Sequence, residues 1–472
     1  MSAVTSEPEV RPLTRGALQA SGYAPRSIRD EMRLNLAAAL REGRDLFPGI
    51  VGYDTTVIPA VVNAVLAGQD ILLLGERGQA KTRLARGLTA LLDEWLPVLD
   101  GPDMPDDPVA PATPQGQRLV ESRGDDAPIR WLHRSDRFAE KLATPDTSIA
   151  DLIGEIDPIK IAEGRYLTDE DALSPGLIPA SNKSIFNLNE LPDLSERIQV
   201  GLLNILEEQD VQIRNIRLRL PIDVFVIASA NPEDYTNRGR IITPLKDRFG
   251  SQIRTHYPRS VDLEMRIAEQ ERERIALPGL TTDFPEWMKR IIATATRLAR
   301  ASDDISSRSG VSVRATIANA ELVEASAVQR ALRNGEVIAS PRISDLAACV
   351  EPMIGKLEFE HFGSRSDAEI VGELFGAAVL EVFQAAVTEA QLAPIERAFA
   401  DGFEAEISIE TPSATIVDRA TGIVGLEVPE HAATNMAVTA SWFELVLEGL
   451  VQLGAIERLS TGGATRYAGS EG

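Results

Sequence analysis

Gly75-Glu76-Arg77-Gly78-Gln79-Ala80-Lys81-Thr82 follows the apolar run Ile71-Leu72-Leu73-Leu74 and opens a helical pattern over residues 83–92. A strand, a small-residue loop and a helix in that order make a phosphate-binding loop. Backbone N–H groups of such a loop curl around a polyphosphate. Lys81 is placed to reach the β/γ-phosphates and the Thr82 hydroxyl to hold Mg²⁺. The helix that starts there adds its positive end. Ala80 stands where the pattern has its last glycine, a small intrusion if the backbone there needs no glycine-only conformation.

Length and composition bound the rest. The chain has 472 residues, enough for two or three domains. Hydrophobic content of 44% and charged content of 25% are those of a globular protein. No apolar run reaches the length of a spanning helix, and residues 1–15 lack a signal-peptide core. The single cysteine, Cys349, rules out an internal disulfide and reads as a small buried hydrophobe. Together these readings predict a cytoplasmic protein with no membrane contact.

The formal net charge is -23. Residues 351–472 hold 20 Asp and Glu against 6 Lys and Arg, and residues 93–126 hold 9 against 2. Nucleic-acid phosphates need Lys and Arg, so this balance argues against a nucleic-acid partner.

Along the chain, residues 1–15 read as disordered and 26–46 as a helix with Ile28, Met32, Leu36 and Leu40 on one face. A turn at Phe47-Pro48-Gly49-Ile50-Val51-Gly52 leads to a helix over 56–66. After the helix over 83–96, the proline- and aspartate-rich stretch 97–128 predicts a mobile surface insertion. Residues 149–180 read as a loop and hairpin. Strands at 184–188 and 224–228 flank a helix over 195–208 and a hairpin at 211–220. Alternating strands and helices predict a parallel sheet covered on both faces. From residue 262 the pattern is helical, at about 262–275, 285–301, 311–332, 342–351 and 366–391. Residues 396–440 are less regular and suit strands. A helix over 442–453 and a hairpin around Thr461-Gly462-Gly463 end the chain.

Splitting a nucleotide needs a metal ligand, a group to activate water, a group to align it, and neutralisation of charge in the transition state. Ile185-Phe186-Asn187-Leu188-Asn189-Glu190 ends a strand, with Glu190 the candidate base. Asn231 ends the next strand in Ser229-Ala230-Asn231 and is placed to align the water. Arg248, in Leu245-Lys246-Asp247-Arg248-Phe249, is a candidate arginine finger, typically worth roughly 10³–10⁵ in rate. Arg314 opens a helix and is placed to contact the nucleotide from above, with Arg308 as its rival. Read singly, Glu190 is also a capping acid, Asn231-Pro232 a turn, and Arg248 a surface ion pair. Their order and spacing carry the reading.

This arrangement resembles the AAA+ ATPases, within them the group of the magnesium-chelatase ATPase subunit and the MoxR proteins. The stretches that carry the detail are Phe47-Pro48-Gly49-Ile50-Val51-Gly52, Leu173-Ser174-Pro175-Gly176-Leu177-Ile178, Asn231-Pro232-Glu233-Asp234 and Leu245-Lys246-Asp247-Arg248-Phe249-Gly250. The resemblance covers about residues 45–330. It implies an α/β fold: a P-loop αβα sandwich on a parallel sheet, a C-terminal all-helical lid and a small α+β segment. The domains expected are an extension at 1–46, a nucleotide-binding domain at 47–260 with its acidic insertion at 97–128, a lid at 261–395, and an acidic, winged-helix-like segment at 396–472.

For the site it implies that Ile50 and Val51 frame the adenine and that Gly75–Thr82, Arg83 and Arg314 bind ATP. Thr82 and the residue at 189 hold Mg²⁺, and Arg248 acts in trans. The partners it implies are further copies in a hexameric ring and a protein client with a von Willebrand A-type domain, handled for metal insertion or complex maturation. Asn189 departs from the aspartate the family has there. It keeps an acceptor oxygen and loses the charge, which predicts slow hydrolysis. The alternatives are a MoxR-like chaperone, a nucleotide-sensing scaffold with little turnover, and an activator acting on an alternative sigma factor. Such activators carry a G-A-F-T-G-A loop, which residues 154–176 lack.

Overall fold

The computed structural model describes residues 11–157, 173–212, 219–231, 239–306, 310–360, 365–461 and 464–469. The chain divides into two compact units, residues 1–256 and 257–472.

The first unit is built on five parallel strands: β1 (Ile71–Leu74), β2 (Phe138–Leu142), β3 (Ile185–Asn189), β4 (Phe225–Ala230) and β5 (Ser251–Arg254). Their order across the sheet is β5-β1-β4-β3-β2. Register is set by Ile71 beside Ile227 and Ser251, Phe225 beside Ile185, and Ile185 beside Phe138. β1 and β4 are buried throughout, as parallel strands covered on both faces must be. One face packs Leu72, Phe186 and Val226; the other packs Ile71, Leu73, Ile185 and Phe225.

The stretch ahead of β1 is part of this core. Helix Ile28–Glu42 is capped by Ser27 and buries Ile28, Met32 and Leu36 beside Val57 and Val61 of helix Val57–Ala67. Arg29 binds both Asp70 oxygens at 2.8 and 2.9 Å, and Asp70 also accepts from the Val226 backbone N–H at 2.8 Å. Arg137, fully buried, binds both Glu31 oxygens at 2.7 Å. Each charge is buried only because its partner is.

Three expectations need correction. The helix expected over 83–96 is short, Lys81–Gly87 with a 3-10 turn at Leu88–Leu91, and Trp95–Leu99 is a strand paired antiparallel with Ile129–His133. The acidic stretch 97–128 is folded, with helix Pro114–Arg123 and its own small core of Leu18, Leu99, Ala127 and Ile129. Its aspartates are structural. Asp106, buried, accepts the N–H groups of Asp107, Ala112 and Thr113 and the Thr113 hydroxyl. Asp107 accepts those of Val109 and Ala110. The prolines break ladders, but the carboxylates satisfy the backbone that is freed. Residues 11–20, within and beyond the stretch read as disordered, include helix Arg15–Ala20, which buries Leu18, while residues 1–10 lie outside the described residues.

Two of the hairpins expected are seen at their bases. Gly154–Ile156 pairs antiparallel with Leu173–Pro175, and Asp210–Gln212 with Arg219–Pro221. Their tips, residues 158–172 and 213–218, lie outside the described residues.

The second unit holds helices Val261–Glu271, Glu286–Ala301, Val313–Asn334 and Asp367–Ala386. Residues 396–440, read as suiting strands, are mainly helical: Glu389–Ala400, strand Ala405–Ile407, then Ser413–Thr421. Helix Met436–Gln452 comes next, then the antiparallel pair Ile456–Thr461 and Ala464–Gly469. The three strands form one sheet with Ala464–Gly469 central. Helix, strand, helix, helix and two strands follow one another in this order. Helix Met436–Gln452 is buried from Ala437 to Leu450 except at the half-buried Thr439. One continuous core runs from Trp287 and Met288 to Trp442, Phe443 and Tyr467, so the lid and the C-terminal segment are one packed body. Buried pairs Arg330–Asp345 (2.5 Å) and Arg342–Glu444 (3.3 Å) lie inside it. Cys349 is buried, and burial pushes its thiol up to about 12.

Among the described residues no single helix is long and apolar enough to cross a membrane. One bent pair, Asp367–Ala386 with Glu389–Ala400, passes by length and composition, and its apolar residues Phe375, Val379, Phe383 and Ile395 belong to the core just described.

Candidate nucleotide site

The strand order places the site. β1, β4 and β3 are neighbours running the same way, so the residues at their C-terminal ends emerge along one edge. These are Gly75 after β1, Asn231 after β4, and Asn189 with Glu190 at the end of β3. Ligands of open parallel sheets bind at that edge.

The loop is braced from three sides. Gln79, buried, accepts from the Glu76 N–H (3.1 Å) and the Thr255 hydroxyl (2.6 Å). The Thr255 N–H bonds Leu74 O, which ties the end of β5 to the end of β1. A side chain on Gly75 would put its Cβ 1.9 Å from Thr255 Oγ1, so only glycine fits. The Tyr53 hydroxyl reaches Gln79 O at 2.9 Å and His256 O at 3.0 Å. Burial pushes that phenol up to about 12, so it keeps its proton and donates.

Ala80 has φ 55° and ψ 21°, left-handed. The backbone does require the glycine-favoured region here, so the methyl carries a cost that the sequence reading set aside. Lys81 is buried within the loop, its ammonium donating to the carbonyls of Gly75 and of Glu76 (2.8 Å). Arg77 and Arg83 are exposed, and Ile50 and Val51 are half-buried in the turn that leads to Tyr53.

Glu190 also has a left-handed backbone, φ 54° and ψ 49°, ahead of the 3-10 turn Leu191–Asp193. Of four non-glycine residues with positive φ among the described residues, Ala80 and Glu190 stand at this edge. Such backbone strain gathers where a site is over-determined by its surroundings. The Glu190 N–H faces the Ser229 hydroxyl at 3.4 Å. Asn189 Oδ1 lies 3.5 Å from the Thr82 hydroxyl and accepts from Asn187 Nδ2 and Ser229 Oγ, both at 3.2 Å. Asn231 is buried at the end of β4.

The structure thus brings together the loop, Thr82, Asn189, Glu190 and Asn231. Arg248 makes its contacts elsewhere. Its Nε donates to Glu207 Oε2 at 2.7 Å, its Nη2 to the same oxygen, and its Nη1 to Pro244 O at 2.9 Å. Arg314 is exposed on the first turn of helix Val313–Asn334 in the second unit, and Arg308 lies outside the described residues. Sequence reasoning missed Tyr53, Thr255, Ser229 and Glu140, the last a residue of β2 that accepts from Asn189 Nδ2 at 2.6 Å. Parallel pairing of strands distant in sequence reveals Thr255, Ser229 and Glu140, and Tyr53 shows itself through its hydrogen bonds to the loop and to His256 O.

These residues fit a nucleoside triphosphate with a hard divalent cation. The loop offers backbone N–H groups and an ammonium, and Thr82 with Asn189 offers neutral oxygens beside it. Among the described residues no group of three or more His, Cys, Asp or Glu is placed to hold a metal alone, so the phosphates would supply ligands.

A P-loop after β1 in a β5-β1-β4-β3-β2 sheet is the arrangement of the α/β P-loop AAA+ fold. No family model matches the chain. Curated relatives do. It is 25% identical over 250 residues to the magnesium-chelatase 38 kDa subunit of Rhodobacter capsulatus, covering 50% of this chain and 63% of that one. It is 27% identical over 250 residues to the magnesium-chelatase subunit ChlI of Chlorella vulgaris, covering 51% and 66%. The chain spans just under two thirds of the length of these relatives. Among solved structures, a BchI–BchD magnesium-chelatase complex aligns at TM-score 0.36 and 18% identity, over 69% of this chain and 98% of that one. NtrX from Brucella abortus with ATP aligns at 0.38 and 15%, over 78% and 71%. In sequence this chain is similar to magnesium-chelatase subunits over about half its length, and its fold is that of the P-loop AAA+ ATPases.

Proposed function

We propose that this chain is an ATP-binding and hydrolysing motor that remodels or activates a partner protein. The observation that supports it most is the convergence of loop, Glu190 and Asn231 on adjoining strand ends. In this reading the loop N–H groups and Lys81 hold the β/γ-phosphates, with Arg77 and Arg83 nearby and Ile50 and Val51 at the adenine. Thr82 and Asn189 would hold Mg²⁺, which when bound offsets charge on the phosphate oxygens. Asn231 aligns a water, Glu190 takes its proton as the oxygen attacks the γ-phosphorus, and ADP and phosphate leave. Arg248 serves the neighbouring subunit of a hexameric ring, which requires its bond to Glu207 to open. Arg314 contacts the nucleotide from the lid.

The relatives' name, magnesium chelatase, supports a role in metal insertion; complex maturation and a von Willebrand A-domain client are our own proposals. A MoxR-like chaperone is the same chemistry with another client. A full-length Glu190→Gln variant with ATP, used as bait, tests this. Ring and client retained with ATP and released with ADP support it, and capture indifferent to the nucleotide contradicts it.

Asn189 favours one second reading, a nucleotide sensor with little turnover. Nucleic acid stays outside the proposal. The helix a winged helix offers to DNA is buried here, and residues 351–472 are strongly acidic.

A further inference from the structure

Asn189 has one-sided surroundings. Its Oδ1 faces donors: Asn187 Nδ2 and Ser229 Oγ at 3.2 Å, and the Thr82 hydroxyl at 3.5 Å. Its Nδ2 donates to Glu140 Oε1 at 2.6 Å. The amide therefore has a single satisfied orientation, with oxygen toward Thr82. Glu140 lies on β2 directly beside Asn187, and thus on the face of the sheet that Asn189 shares. Its other oxygen accepts from Arg86, on the helix of the phosphate loop, at 2.8 Å.

We infer that Glu140 and Asn189 together do the work of one aspartate at the cation site. Asn189 supplies the acceptor oxygen beside Thr82. Glu140 is a positioning residue: it fixes the amide and supplies the negative charge that position 189 lacks. Charge attraction falls with distance and does not vanish one side chain away. Solvent reaches both charges but screens Arg86 more, its side chain being 65% exposed against 27% for Glu140. The pair is also exclusive. An aspartate at 189 would set two carboxylate oxygens at the 2.6 Å contact, with no donor between them. The inference rests on the nucleotide reading above.

The test is equilibrium binding of a fluorescent ADP derivative to the full chain, in EDTA and across a Mg²⁺ titration. Wild type, Glu140→Gln, Asn189→Asp and the double variant are compared, each checked for folding by circular dichroism and its urea midpoint. Binding in EDTA is expected to be retained in Glu140→Gln, the single change that leaves position 189 intact. Glu140→Gln raises the half-saturating Mg²⁺ about 10-fold, as loss of an outer-shell partner does. Asn189→Asp alone gives no gain, and the double variant returns to the wild-type value. An unchanged Mg²⁺ requirement in Glu140→Gln, a double variant no better than that single one, or a loss of binding in EDTA by Glu140→Gln overturns the inference. Failure of the wild type to bind ADP at all overturns the nucleotide reading, and this inference with it.

Discussion

Arg137 at the foot of β2 and Glu31 on helix Ile28–Glu42 hold each other through two 2.7 Å hydrogen bonds, both side chains buried. The same Glu31 carboxylate accepts the Asp93 N–H at 2.6 Å. The N-terminal stretch is thereby built into the nucleotide-binding unit. Arg137→Ala leaves a buried carboxylate unpaired and is expected to cost about 3–5 kcal/mol in urea unfolding. A cost within the range of a surface change would show that the helix is an appendage.

Ala80 occupies a left-handed backbone that glycine adopts freely. Ala80→Gly removes about 1–2 kcal/mol of steric cost and returns part of it through a more flexible unfolded chain. The net expectation is a stabilisation of about 0.5–1 kcal/mol with an unchanged denaturant slope. A destabilised variant would mean that the loop leaves this conformation.

Arg248→Ala is expected to retain nucleotide binding and to lose hydrolysis by roughly 10³-fold or more. Mixing it with Glu190→Gln tests the trans role. Each inactive parent supplies what the other lacks, so the mixture recovers activity at shared interfaces. A mixture as inactive as its parents contradicts the assignment.

The Cys349 thiol is raised by burial to about 12 from an ordinary 9.0. Its burial as a neutral thiol contributes stability fully below pH 9, lost as the pH rises toward 12. The slope is about 1.4 kcal/mol per pH unit over that window. At about pH 8, below the thiol's ordinary range, a thiol reagent is expected to label the unfolded chain and leave the folded one untouched. Prompt labelling of the folded protein would contradict the packing of the second unit.

Much of the first unit was legible because its central strands are continuous apolar runs. Ile71–Leu74 and Phe225–Ala230 bury every residue, and such runs read plainly. β2 was not legible: it is an edge strand, and Phe-Ala-Glu-Lys-Leu has neither an apolar run nor a strict alternation. Residues 97–128 misled because prolines and aspartates signal disorder until buried N–H groups such as that of Thr113 find Asp106. Ala80 carries no mark of its positive φ, since nothing in an alanine announces a left-handed backbone. Glu140 stands 49 residues before Asn189, and only the β2–β3 pairing brings them together. An acid on the strand before an amide-bearing strand end is the one signal that would have suggested it.

Steady-state ATP hydrolysis by the full chain, wild type beside Glu190→Gln across a range of protein concentrations, tests the central claim most directly. The wild-type rate per subunit is expected to climb with concentration as interfaces form, and to be nearly lost in Glu190→Gln with ATP still bound. Equal rates in the two proteins would contradict it.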